Sequence, residues 1–350
     1  MPVQLMKGNE AIGEAAIIAG CRHYFGYPIT PQNELPAYMA ARMPKVGGTF
    51  LQAESELAAI NMVFGAAAAG ARAMTSSSSV GISLKQEGIS YLAGAELPAV
   101  VVNMMRGGPG LGNIAGAQGD YFQAVKGGGN GDYHCIVLAP CSVQELADLT
   151  VRAFDLADQY RNVVILLGDG FVGQMSEPIT LPSPTGKVFD KSAWSLTGAK
   201  GRDPHLVASI RLNPDDALAK HNEMLQAKYR VIEKEVREWE STQVDDCEYL
   251  LVAFGLSARI CRSAVSALRK SGVKAGLFRP ITLWPFPDAE LAAAAKGRKK
   301  VLVVEMNAGQ MVQDARLAIG AAAPVDFYGM MGGLTPQVDA IVERIKAYAR

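Results

Sequence analysis

Three stretches, residues 97–105 (LPAVVVNMM), 135–140 (CIVLAP) and 162–169 (NVVILLGD), are apolar almost without interruption. Runs of this length with no polar alternation fit strands covered on both faces, as in a parallel sheet, better than strands with one wet face. Between the second and third lies SVQELADLTVRAFDLADQY, an amphipathic helical pattern behind a serine that can cap it. A strand–helix–strand order with buried strands requires a helix crossing over the sheet. Upstream, residues 7–21 carry Ala and Ile at helical spacing before HYFG, and residues 49–79 read as strand, loop, Ala-rich helix and second strand running into a serine-rich loop. That helix has such small side chains that it must pack closely against something. The first part of the chain, residues 1–180, therefore reads as a doubly wound α/β sheet.

From Leu181 the sequence becomes rich in Pro, Gly and Lys without a clean period, and it then runs into a charged helical pattern that Asn213 or Asp215 can cap. Residues 181–245 are expected to form an extended linker and a solvated connecting helix. After that, EYLLVAFG, KAGLFRP, KVLVVEMN and VDFYGM alternate with three helical patterns. Residues 246–350 read as a second, smaller α/β domain, so that two cores are expected from 350 residues.

Lys+Arg and Asp+Glu both number 34, so no global field draws nucleic acid or an anionic membrane. No signal-like start precedes the first helix and no charge-free run approaches the roughly 20 residues of a membrane-spanning helix, which leads to the expectation of a cytoplasmic protein without membrane or nucleic-acid partners. The five cysteines form no CxxC pair and the four histidines no HxxxH pair, so no metal is expected on this chain. GLGNIA (110–115) matches a dinucleotide-binding fingerprint, but the glycine-rich segment after it makes a poor helix and the next strand does not end in an acid. Gly168-Asp169-Gly170 looks like the opening of a diphosphate and Mg²⁺ motif, yet the window where its asparagine should stand has none; a turn after a strand explains it.

Three loops follow three strands: GYPITPQNE (26–34), QAESELAAINMVFGAA (52–67) and NMMRGGPGLGNIAGAQGDY (103–121). In a parallel sheet they converge at the strands' carboxyl ends, where ligands bind. Together with RPITLWPFP (279–287) and VEMNAGQM (304–311), they make the chain resemble, over nearly its whole length, the α subunits of 2-oxoacid:ferredoxin oxidoreductases. RGGPGLGN, QGDY and KGGGNGDY (126–133) look closest to the branched-chain, 2-oxoisovalerate members, with the 2-oxoglutarate members near.

The resemblance implies that residues 1–180 form the pyrimidine-binding half of a thiamine-diphosphate site and residues 246–350 a transketolase C-terminal-like domain. The diphosphate half and Mg²⁺ would lie on a β subunit and [4Fe-4S] clusters on partners, among them a γ subunit and a ferredoxin-like δ subunit. Thiamine enzymes place a glutamate nine residues before a helix glycine; Glu56 and Gly65 match, whereas Glu54 stands too far away. The resemblance makes Glu56 the group that hydrogen-bonds N1′ of the aminopyrimidine and promotes the imino tautomer whose N4′ takes the C2 proton. It sets Thr30 by the substrate's oxo group or carboxylate, while Arg106, directly after an apolar strand where a guanidinium needs a partner, is expected to grip that carboxylate bidentately, the rival readings being a proline-bounded turn and a structural salt bridge. Tyr27, Pro28, Ile29 and Ser78 are expected to line the cofactor. RPITLWPFP and VEMNAGQM would serve subunit packing or coenzyme A access, with Trp284 buried structure. The implied reaction is oxidative decarboxylation of a 2-oxoacid with coenzyme A to acyl-CoA, CO₂ and reduced ferredoxin. The same reaction on 2-oxoglutarate, an NAD-linked dehydrogenase and a non-catalytic assembly subunit are the alternatives.

Overall fold

The computed structural model describes residues 2–349. Its strands are β1 Val3–Lys7, β2 His23–Gly26, β3 Thr49–Gln52, β4 Ala73–Ser77, β5 Ala99–Met105, β6 Ile136–Leu138, β7 Val163–Asp169, β8 Ser176–Thr180, β9 Trp239–Thr242, β10 Tyr249–Val252, β11 Ala275–Pro280, β12 Thr282–Trp284, β13 Lys300–Glu305 and β14 Val325–Gly329. The helices are α1 Gly8–Ile18, α2 Glu34–Arg42, α3 Glu56–Ala68, α4 Val80–Gly94, α5 Tyr121–Val125, α6 Val143–Tyr160, α7 Gly170–Gln174, α8 Ala217–Glu235, α9 Gly255–Lys270, α10 Asp288–Ala295, α11 Met311–Ile319 and α12 Val338–Ala349.

The three apolar runs are the heart of a seven-stranded sheet of order β12-β6-β7-β5-β4-β2-β3, in which every residue of β5, β6 and β7 is buried. All its pairings are parallel except that of β12 with β6. Helix α6 starts as its sequence predicts: Ser142 Oγ accepts from Glu145 N (3.2 Å) while the Glu145 carboxylate accepts from Cys141 N (2.9 Å). The Ala-rich helix α3 finds its close partner in α4, where a Cβ on Gly88 would sit 2.4 Å from Ile60. The second sheet has the order β14-β13-β10-β11-β9, parallel but for β9 against β11.

The two sheets exchange strands across the sequence. β9, from the connecting segment, closes the smaller sheet, and β12, from the RPITLWPFP motif, crosses to the edge of the larger one. Buried side chains accordingly form one core running from Met6 to Ala323 through both sheets, and a second, smaller one between the outer face of the small sheet, α9 and α12. Two clusters exist, but they do not divide at residue 245, because a strand swapped between sheets carries its side chains into the other core.

Helix α8 is not capped by Asn213 or Asp215. It begins at Ala217 behind Asp216, whose side chain makes no capping hydrogen bond. Nor is the helix wholly solvated, since Leu225, Tyr229 and Ile232 are buried. Tyr229 meets the Trp284 ring edge-on at 5.7 Å between centroids, and His134 stacks on Trp284 at 4.7 Å.

Residues of the family-like motifs in the second half are engaged within the chain. Arg279, 2% exposed, donates to both oxygens of Glu145 on α6 (2.9 and 2.8 Å) and to Glu240 on β9 (3.0 Å). The buried Gln118 side chain accepts from Ser257 (2.9 Å) and Met306 N (3.0 Å) and donates to Phe254 O (2.9 Å), while Asn307 donates to Gln118 O (2.8 Å). Glu305 caps α11 by accepting from Met311 N and Val312 N, each at 2.9 Å. These contacts dock QGDY against VEMNAGQM within the chain.

Candidate active site

Successive strands of the larger sheet end side by side, and their loops converge at one edge. Glu56 follows β3 as the first residue of α3, whose cap is Ser55: extended backbone (φ −160°, ψ 163°) and an Oγ accepting from Ala58 N at 3.1 Å. This cap rotates Glu56 inward and Glu54 outward, so that Glu56 is 6% exposed while Glu54 faces solvent. Among the described residues nothing donates a hydrogen bond to the Glu56 carboxylate; the contact to this residue goes to its backbone carbonyl, from Lys85 Nζ at 3.2 Å. A buried carboxylate at a helix N-terminus enjoys the favourable end of the helix dipole yet still lacks a donor.

β4 ends in the tetraserine segment. The hydroxyls of Ser77 and Ser78 are buried with no partner among the described residues. Opposite Ser77 stands Gly81 in the first turn of α4, where a Cβ would lie 2.1 Å from Ser77 Oγ and 2.5 Å from Glu56 Oε1. A residue without a side chain is thus what allows carboxylate and hydroxyl to reach the same spot. Ser76 points to the other face, accepting from Tyr24 OH at 2.6 Å and donating to the buried Gln32 Oε1. Ser79 sits at φ +32° as the N-cap of α4, a left-handed position that costs energy for a residue with a Cβ. Its hydroxyl donates to Asp120 (2.6 Å) and accepts from Arg106 N (3.0 Å), and Asn103 donates to Asp120 as well (3.0 Å). Burial raises the Asp120 carboxyl above the ordinary range, against the opposing effect of these two donors.

Arg106 stands where β5 ends. Its guanidinium joins two loops, donating to Thr30 O (2.9 Å) and Leu111 O (3.0 Å), and its Nε is buried without a partner. No carboxylate of the described residues pairs with it, so the salt-bridge alternative is not what the fold makes of this arginine. Thr30 Oγ1 accepts from Asn33 at 3.2 Å, next to exposed Tyr27 and Pro28 and half-buried Ile29. Residues 107–119 form a closed loop instead of a helix. Gly107 donates to Ala115 O and Asn113 to Gly107 O, each at 2.9 Å, and only glycine fits at position 112, where φ is +56° and a Cβ would come within 1.7 Å of Gly107 O. GLGNIA therefore opens no helix on which a dinucleotide's diphosphate could rest.

Asp169 of the GDG turn is committed elsewhere: it caps α7 through Val172 N (3.1 Å) and accepts from Leu256 N of α9 (2.9 Å). Full burial raises it to about 6, with those backbone donors pulling the other way. Among the described residues there is no group of three or more His, Cys, Asp or Glu that could hold a metal, all five cysteines are buried free thiols, and no helix is long and apolar enough to cross a membrane.

Thus the structure gathers Glu56, Ser77 and Gly81 at one place and joins Thr30 to Arg106; the Ser78 hydroxyl is buried without a partner. Sequence reasoning missed Lys85, Gly81 and Asp120 and reached Ser77 only as part of the serine-rich loop 75–79. The signal for the first was a lone lysine in GISL-K-QEGIS, on a helix otherwise meeting α3 with small and apolar residues.

Comparison with known proteins places the chain in a family. Residues 14–241 fit the family described as "Pyruvate flavodoxin/ferredoxin oxidoreductase, thiamine diP-bdg" and residues 247–341 the "Pyruvate:ferredoxin oxidoreductase core domain II". The chain belongs to the 2-oxoacid:ferredoxin oxidoreductases, as one of their subunits. Within that class it is 51% identical over 350 residues to the ketoisovalerate oxidoreductase subunit VorB of Methanothermobacter thermautotrophicus, covering 100% of this chain and 99% of that protein. The 2-oxoglutarate synthase subunit KorA of Methanothermobacter marburgensis is 36% identical, with 97% of each chain covered. A solved 2-oxoglutarate:ferredoxin oxidoreductase from Magnetococcus marinus superposes with a TM-score of 0.88 at 29% identity over 99% of this chain, which spans 65% of that longer chain. A split-gene transketolase (TM-score 0.61, 13% identity, 98% of both chains) shares the fold.

Proposed function

We propose that this chain supplies the aminopyrimidine half of a thiamine-diphosphate site in a multi-subunit 2-oxoacid:ferredoxin oxidoreductase acting on 2-oxoisovalerate. The observation that carries this reading is the Glu56 side chain, 6% exposed and accepting no hydrogen bond from the described residues, beside the unpartnered Ser77 hydroxyl and the gap left by Gly81. Such a set suits a planar heterocycle carrying both ring nitrogen and amino group. When bound, thiamine diphosphate supplies the carbon nucleophile that attacks and decarboxylates a 2-oxoacid.

Glu56 then shares a proton with N1′ of the pyrimidine, and the hydroxyls of Ser77 and Ser78 complete the ring's surroundings. Thr30 and Arg106 hold the loop edge where a substrate carboxylate would lie, with Arg106 Nε the donor still to be used. Tyr27, Pro28 and Ile29 form the exposed rim beside it. In this reading residues 1–180 are the pyrimidine-binding domain, 181–245 the connection and 246–350 the transketolase C-terminal-like domain.

The diphosphate, Mg²⁺ and [4Fe-4S] clusters belong to β, γ and ferredoxin-like δ partners in the cytoplasm, with coenzyme A as co-substrate and ferredoxin as electron acceptor. The outward face of α3 supports a partner there: Leu57 and Asn61 are exposed, and a Cβ on Gly65 would meet nothing within 4 Å. The branched-chain substrate is favoured by the greater identity to the two VorB subunits, 51% and 50%, than to the KorA subunit at 36%.

The test is 2-oxoacid-dependent viologen reduction by the assembled complex with thiamine diphosphate, Mg²⁺ and coenzyme A. Glu56→Gln should lower kcat by about 10²- to 10⁴-fold, the usual contribution of a positioned proton-transfer group. Undiminished turnover in that variant would refute the role of Glu56, and a preference for 2-oxoglutarate over 2-oxoisovalerate would refute the substrate.

A further inference from the structure

One charged side chain near the site takes no part in the reading above. Lys85, on α4, is 0% exposed. Its Nζ donates to Glu56 O at 3.2 Å and to Thr75 Oγ1 at 3.1 Å, and no carboxylate of the described residues lies within ion-pair distance. An ammonium buried against two neutral acceptors is a costly choice where a methionine would fill the same volume. Such a cost persists where the charge has a use.

We propose that Lys85 is a positioning residue for Glu56: it ties the first turn of α3 to β4 through the Glu56 carbonyl and the Thr75 hydroxyl, and so fixes the residue that meets N1′. The proposal rests on the reading of Glu56 as the N1′ partner.

Three elements meet at the ammonium. α3 contributes Glu56, whose carbonyl accepts from the ammonium and whose charge attracts it, and β4 contributes the Thr75 hydroxyl. On α4 itself the residues three and four positions away are Gly81, Ile82, Gly88 and Ile89, none charged. Burial brings the lysine down to about 7, and the attraction of Glu56 opposes that fall. The sign follows. Below pH 7 Lys85 is protonated and its bond to the Glu56 carbonyl is charge-assisted; as pH rises through 7 that charge is lost, the first turn of α3 is held less firmly and thiamine diphosphate binds more weakly.

The experiment is calorimetric titration of thiamine diphosphate with Mg²⁺ into the assembled complex between pH 6 and 8.5, for wild type, Lys85→Met, Lys85→Gln and Glu56→Gln. At pH 6.5, Lys85→Met should bind about tenfold more weakly, the equivalent of one pH unit of coupling. It should also lose the wild-type inflection near pH 7. Lys85→Gln keeps a donor for the Glu56 carbonyl and should recover part of the affinity but none of the inflection. Wild-type affinity and pH profile in both lysine variants would overturn the proposal. So would a wild-type profile with no inflection near 7, a result that stands even if neither variant assembles. Glu56→Gln separates the two ideas: if it binds cofactor and turns over normally, the role of Glu56 fails, whereas if it alone is impaired, only the role of Lys85 fails.

Discussion

Replacing Arg279 by Met tests how the two sheets are held together. The side chain reaches from β11 to α6 on one side and β9 on the other, and it is 2% exposed. Its three hydrogen bonds fall on two carboxylates, but these do not suffer equally when it is removed. Glu240 keeps Arg262, which donates to both its oxygens at 2.9 and 3.0 Å. Glu145 retains only Cys141 N (2.9 Å) and loses two charge-assisted bonds. At about 1.5–3 kcal/mol each, those two bonds correspond to about 3–6 kcal/mol. The Glu145 side chain is 29% exposed, so water recovers part of this and about 3 kcal/mol is the expected loss. Met fills the aliphatic part of the space, which keeps a cavity term small. For 350 residues, an unfolding entropy of about 2.1 cal/mol/K per residue gives about 0.7 kcal/mol/K, so Tm should fall by about 4 °C. Differential scanning calorimetry measures it, and a cycle with Glu145→Gln should show a coupling of about 1.5–3 kcal/mol. A shift under about 1 °C together with additive variants would refute the reasoning, because it would mean that solvent replaces the arginine on Glu145.

Two further outcomes follow from the same geometry. Asp169 is raised from an ordinary 3.8 to about 6 in the folded chain, so it binds a proton more readily folded than unfolded. Its contribution is fully present below pH 4 and is lost as pH rises through 6, a difference of about 3 kcal/mol at 1.36 kcal/mol per pH unit. Asp169→Asn should remove that slope from urea-denaturation stabilities between pH 4 and 6; an unchanged slope would show that Asp169 does not titrate there. Gly81→Ala places a methyl 2.5 Å from Glu56 Oε1 and 2.1 Å from Ser77 Oγ, so both must move. Overpacking costs about 1–3 kcal/mol, a Tm loss of a few degrees, while thiamine-diphosphate affinity in the complex should drop at least tenfold. Cofactor affinity equal to wild type would mean that the gap at Gly81 is not part of the site.

Periodicity carried the order of buried strands and the helices between them, because a strand covered on both faces must be apolar throughout and a helix covered on one face must repeat near 3.6 residues. That made β5, β6, β7, α6 and nearly all of the second α/β pattern legible. Helices α2, α4 and α12 were not, and the reason in α4 is visible: Gly81, Gly88, Lys85 and Gln86 are all buried, which blurs any amphipathic stripe. Strands β1, β9 and β12 are short and pair antiparallel with partners far along the chain, so nothing in their local sequence names the neighbour.

The sequence alone determined that the chain would be a doubly wound α/β protein resembling the thiamine-dependent oxidoreductases. Through that resemblance, the spacing to Gly65 also singled out Glu56 over Glu54. Tertiary structure decided the rest. It showed that Arg106 spans two loops through their carbonyls, that the GDG turn docks α9, and that the motifs of the second half hold the chain to itself. It also brought Lys85 beneath Glu56. Spacing along a helix or strand is set by local geometry and can be read from a string of residues; a buried charge acquires its neighbours only when distant segments pack.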